Sequence, residues 1–176
     1  MNKVFGKITK YSPITVYGNR TLINYDFKEV GDGVNATWNE IPFVQNGGKY
    51  PTLKNIKKLI IDDINSETDN KIISGFIWND KKIWLSEENQ RNFSEAQRIA
   101  MMTNSANLPI TFKLGEDKDG NPVYHTFTSL DELTQFCLAA ASYIQQCLAE
   151  GWQKKDNMDW SVYESIIGPD NMTPVE

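Results

Sequence analysis

The chain has 176 residues, a formal net charge of -5 and a pI near 5.0, with 40% hydrophobic, 23% charged and 11% aromatic residues, five of them tryptophan. That length suffices for a core that needs neither disulfide nor metal, the composition argues against disorder throughout, and scattered lysines under a net negative charge leave no basic face for nucleic acid. Met1–Lys7 offers no apolar run of signal length, and nowhere do about 18 uncharged apolar residues follow one another. The expectation is a protein made and kept in a cytoplasm, with no membrane partner.

Residues 1–50 predict strands and turns, a β-rich segment suited to docking. Val4-Phe5, Ile14–Tyr17 and Thr21–Phe27 are short, β-branched or aromatic, and punctuated by Pro13, Gly18-Asn19 and Gly31-Asp32-Gly33. In the third stretch Ile23, Tyr25 and Phe27 alternate with Leu22, Asn24 and Asp26, a period of two that predicts one buried and one wet face. Trp38, Ile41 and Phe43 lead to Gln45–Lys49, a loop and an expected boundary. An α+β domain over 51–168 and a flexible tail over 169–176 follow.

From Pro51 the period changes to that of a helix, with Leu53, Ile56, Ile60 and Ile64 on one face opposite Lys54, Lys57, Lys58 and Asp62. Ser66-Glu67 predicts the cap of a second, shorter helix that Gly75 ends. Phe76–Trp78 and Ile83–Leu85 flank a polar Asn79–Lys82, a hairpin pattern without the favoured Asn-Gly pair.

Ser86 directly after a strand is a favoured helix cap, which places Glu87 and Glu88 in the first turn beside the positive end of the helix dipole. Neighbours on a helix point about 100° apart, so the two carboxylates fit a helix start better than a catalytic pair. Phe93, Ala96, Ala100 and Met101 continue the apolar stripe until Asn104–Asn107 breaks it.

Leu108–Leu114 and Val123–Phe127 predict a second hairpin across an acidic turn, residues 115–122. Aligning Gly120 with the glycine of an EF-hand loop would put Gly115 and Thr126 at the two end ligands, so a turn built from Asp, Gly, Asn and Pro is the better reading. Ser129–Glu132 is a capping box, and Leu130, Leu133, Cys137, Ala140, Ile144 and Leu148 give the helix it opens a continuous apolar stripe. Gly151 predicts its end, with Trp152 folding back and Lys154-Lys155 facing the dipole. Cys137 and Cys147 on one helix stand about 15 Å apart, beyond disulfide reach.

No phosphate loop, nucleophile elbow, Cys-x-x-Cys or His-Glu-x-x-His occurs, and the single His125 alternates within a predicted strand, where a hydrogen-bonded or solvent-facing imidazole is expected. No catalytic, cofactor or metal-binding residue is therefore assigned, and a non-enzymatic protein is expected.

Ile83–Ser86 with Asn89-Gln90 and Asn92-Phe93, then Leu108–Lys113, then Gly151–Asp156 give the stretch Ile83–Trp160 a set of motifs. In these it resembles a domain of unknown function that recurs in bacteriophage and prophage structural-gene clusters, often beside tail or fibre genes. The resemblance implies a virion structural protein made in the host bacterial cytoplasm, an attachment or decoration component at the base of a head or tail fibre. Its partners would be capsid, fibre or tail proteins, and it would act as a homo-oligomer. The alternatives are a fibre-assembly chaperone absent from the virion and, more weakly, a small hydrolase acting on host polymer. Large aromatics dominate docking surfaces, so the candidate contact residues are Trp38, Phe43, Trp78, Trp84, Trp152 and Trp160, each weighed against a place in the core.

Overall fold

The structure is a computed structural model that describes residues 2–18, 20–44 and 51–167. The fold is α+β, as the sequence predicts, with strands β1 (Asn2–Lys7), β2 (Ile14–Tyr17), β3 (Arg20–Glu29) and β4 (Asn35–Val44) preceding α1 (Leu53–Gly75). Then come β5 (Phe76–Trp78), β6 (Lys81–Ile83), α2 (Glu87–Met102), β7 (Ile110–Glu116), β8 (Pro122–Phe127), α3 (Leu130–Asp156) and α4 (Ser161–Ile167). The described chain forms two compact units, one up to Ile64 together with the residues from Lys155 on, the other Asn65–Lys154. The division falls inside α1 and α3. The expected loop Gln45–Lys49 and tail 169–176 lie outside the described residues.

In the first unit β1-β4-β3-β2 form one antiparallel sheet. Register places Thr21 opposite Phe43, and Ile23 opposite both Ile41 and Ile14, so these residues share a face. Against it α1 lays Ile56, Ile60 and Ile64, and α4 adds Tyr163. The expected alternation in β3 holds for Ile23 and Tyr25 and then breaks. Register shifts between Tyr25 and Lys28, with Asp26 at φ 54, and the bulge turns Phe27 to the opposite face. There Tyr11 bridges Phe27 and Trp38, ring centroids 4.6 and 5.7 Å away. Asn24, expected on the wet face, is buried, its amide donating to Ser12 O at 2.7 Å and Thr15 Oγ1 at 3.1 Å.

The Tyr163 hydroxyl donates to Asn24 O at 2.7 Å, and burial pushes both its phenol and that of Tyr11 above the ordinary 10.0. A group whose folded pKa is raised stabilises the fold below its unfolded value and loses that contribution as pH climbs past it. The first unit is therefore expected to unfold in alkali above about pH 10. Circular dichroism followed against tyrosinate absorbance checks this: the loss of structure should accompany the late-ionising phenols, and Tyr163→Phe should shift it upward.

The second unit packs two hairpins against α2, α3 and the C-terminal half of α1. Alternate residues Phe76, Ile83, Leu114 and Phe127 point inward to meet Phe93, Leu133 and Phe136. Two expectations fail here. The cap read at Ser66 does not start a helix, because α1 is continuous and Ile56, Ile60, Ile64, Thr68 and Ile72 repeat every four residues through it. Nor does Gly151 end α3, which runs on to Asp156 with Trp152 inside it. A Cβ at Gly151 would stand 2.5 Å from Thr68 Oγ1, so this glycine serves a close approach of α1 and α3. Glu67 pairs with Lys154 at 2.7 Å on one side of that contact, and Lys71 pairs with Glu150 further along.

The first hairpin is tighter than expected. Asn79 and Asp80, at φ 49 and 60, form a two-residue turn that moves β6 forward to Lys81–Ile83. Asp80 occupies a left-handed position that glycine fills without strain. Asp80→Gly is expected to raise the stability of this unit by up to about 1 kcal/mol, read as a higher urea midpoint. The C-terminal α4, not anticipated from the sequence, is capped by Asp159, whose Oδ1 accepts from Ser161 N at 3.0 Å and Ser161 Oγ at 2.6 Å.

Candidate functional site

The acidic and amide cluster after β6 does what its sequence predicts. Ser86 Oγ accepts from Asn89 N–H at 3.3 Å, while the Asn89 and Gln90 amides reach back to Trp84 O at 2.8 Å and Leu85 O at 2.6 Å. Glu87 and Glu88 stand exposed in the first turn of α2. Glu87 and Asp69 both line a cleft of about 430 Å³ floored by Ile72, Leu85, Ile144 and Leu148.

His125 is hydrogen-bonded, as expected: Nε2 donates to Glu132 Oε1 at 2.8 Å, and Glu132 Oε2 accepts from Thr128 N–H at 3.2 Å. The bond to His125 holds the Glu132 carboxyl below its ordinary range. The pair fastens the end of β8 to the start of α3, where Ser129 Oγ completes the cap by accepting from Glu132 N–H. The two cysteines are free, and burial pushes the Cys137 thiol up to about 11, away from nucleophilic use.

The six aromatic candidates separate by environment. In the first unit Trp38 is buried, its Nε1 donating to Glu40 at 3.1 Å; Phe43 packs against the core; and Trp160 is half-buried under the Lys57 ammonium, 5.5 Å from the ring. In the second unit Trp78 packs into the core against His125, Phe127 and Phe136. Only two of the six are open to solvent, Trp84 at 37% and Trp152 on α3 at 53%.

Trp84 lies at the centre of a surface that other residues complete. Its N–H donates to Leu114 O at 2.8 Å, joining the first hairpin to the second. A Cβ at Gly115 would meet Lys82 O at 2.9 Å and the Trp84 ring at 3.5 Å, so the absent side chain is what lets the indole lie against β7. Lys113 Nζ sits 5.7 Å from the ring centroid. Register puts Ile77 opposite Lys82 and Tyr124 opposite Lys113, so Ile77, Trp84 and Tyr124 share the outer face, Ile77 and Tyr124 being 67% and 58% exposed. Tyr124 and Ile77 were missed as contact residues, although alternation with the inward His125 and Phe127, and with Phe76 and Trp78, places them outward.

Beside Trp84 this surface sinks into a cleft of about 800 Å³. The first turn contributes Asp80–Lys82, the second contributes residues 116–119, and Val123 completes the wall. Within the second turn Asp117 makes the local bonds a turn needs: Oδ1 accepts from Asp119 and Asn121 N–H at 2.9 and 2.8 Å, and Oδ2 from the Asn121 amide at 3.2 Å. These bonds, the Asn121 N–H foremost, hold its carboxyl below the ordinary range. The turn reading therefore explains the acidic loop. Among the described residues, no cluster of three or more metal-binding side chains occurs, and no helix is long and apolar enough to cross a membrane.

A family described as a domain of unknown function, DUF4376, matches residues 55–170, about two thirds of the chain. The chain belongs to this family. The DUF4376 match begins before the resemblance seen from Ile83 on and takes in most of α1, both hairpins, α2, α3 and α4. It leaves the four-stranded sheet outside. No curated protein and no solved structure matches the chain.

Proposed function

We propose that this DUF4376 protein is a non-enzymatic component of a bacteriophage particle, one that attaches to or decorates neighbouring virion proteins at the base of a head or tail fibre. The observation that carries the reading is the outer face of the second unit, where Ile77, Trp84 and Tyr124 face water while the alternate residues of the same strands complete the core. Exposed aromatics grouped on one strand layer are the composition of a docking surface. Trp152 offers a second contact on α3. The resemblance over Ile83–Trp160 supplies the setting, and a homo-oligomer that repeats the surface around a fibre axis suits it.

Mass spectrometry of purified particles tests the proposal. Several copies per particle are expected, and Trp84→Ala combined with Tyr124→Ala should lower that number. Absence from particles whose fibres fail to assemble without the protein would replace this reading with the chaperone. Loss of a polymer-degrading activity on replacing Glu87 and Glu88 by glutamine would replace it with the hydrolase.

A further inference from the structure

The cleft beside Trp84 has an unusual balance of charge. Three lysines and four carboxylates line it, yet Glu116 is taken by Lys113 at 3.0 Å and Asp117 by its own turn. That leaves Lys81, Lys82 and Lys118 with Asp80 and Asp119, whose side chains have no partner among the described residues. The two signs stand in one concave site without neutralising each other, beside an indole that is 37% exposed and has the Lys113 ammonium over its ring.

We propose that this cleft binds a saccharide, with a sugar ring against Trp84 and its hydroxyls on the free charges. A hydroxyl both donates and accepts, so a polyhydroxylated ring can satisfy carboxylates and ammoniums together. Axial C–H groups of a pyranose ring carry partial positive charge and suit the negative face of an indole. Nucleic acid fits less well, because carboxylates in the wall oppose its phosphates. A purely apolar ligand would leave the charges desolvated and unpaired. Asp80 contributes a carboxylate from a backbone position where glycine would be easier, so its replacement separates binding from folding. The inference concerns the cleft alone and stands whether or not the protein is found in particles.

The test uses the full chain on an array of neutral, amino- and uronic-acid oligosaccharides, followed by calorimetric titration with the strongest hit. Binding is expected, at least tenfold weaker in Trp84→Ala and in Lys118→Met and unchanged in Trp152→Ala. Asp80→Gly should bind several-fold more weakly while its urea midpoint rises. Lys118 is exposed on a turn, so its variant reports on the cleft even if Trp84→Ala perturbs the fold. No bound saccharide on the array, or a hit whose affinity ignores both Trp84 and Lys118, overturns the proposal. Displacement of the hit by a short oligonucleotide of higher affinity would also overturn it.

Discussion

Phe136→Ala is expected to destabilise the second unit by about 3–5 kcal/mol, a large share of the about 5–15 kcal/mol that holds an ordinary domain folded. Phe136 is fully buried, and its ring lies 4.9 Å from Phe93, 5.0 Å from Trp78 and 5.1 Å from Phe127, with Phe76 at 6.2 Å. These rings come from α2, β5 and β8, so α3 presents one side chain to three elements. Truncation removes the transfer free energy of a phenyl ring and leaves a void lined by stiff rings that cannot close over it. Trp78 touches the void and reports it: in urea its fluorescence transition should move to a markedly lower midpoint. A change below about 1 kcal/mol would mean that the core is not organised around this ring.

Tyr163→Ala is expected to cost the first unit a similar amount, about 3–5 kcal/mol. Tyr163 is 1% exposed, sits in the cluster of Ile23, Ile41, Ile56 and Ile60, and bonds to a carbonyl 139 residues earlier. Tyr163→Phe separates the two contributions. It keeps the ring and takes from Asn24 O the shorter of two hydroxyl donors, Tyr11 remaining at 3.4 Å, a loss of about 1 kcal/mol. Trp160, 6.3 Å from Tyr163, gives the optical signal, and α4 should fray in the alanine variant and persist in the phenylalanine one. Equal effects of the two substitutions would place all of the stabilisation in the hydrogen bond.

The expectations that held and those that failed differ in range. The caps at Ser86 and Ser129, the break at Asn104–Asn107, the second hairpin and the turn role of Asp117 all depend on nearby groups and are found as expected, whereas the first hairpin closes with a tighter turn than its spacing suggests. Ser66 and Gly151 carry the same kind of local signal and were misleading. At Ser66 the packing of Ile64, Thr68 and Ile72 sustains the helix past a residue that would otherwise start one. At Gly151 the reason for glycine is Thr68, on another helix. Propensity is worth tenths of a kcal/mol per residue, and burial of a helix face outweighs it.

The sequence alone determined the α+β class, where α1, α2 and α3 begin and the family-like motif set from Ile83 to Trp160. Only the tertiary structure decided that α4 joins the N-terminal sheet, that Trp38 and Trp78 are covered while Trp84 stays open, and that two turns about forty residues apart wall one cleft. The physical reason is that caps, turns and periodicity are written in neighbouring residues. The cleft instead depends on β6 meeting β7 in one register, through Trp84 N–H and Leu114 O, and no local spacing encodes that meeting.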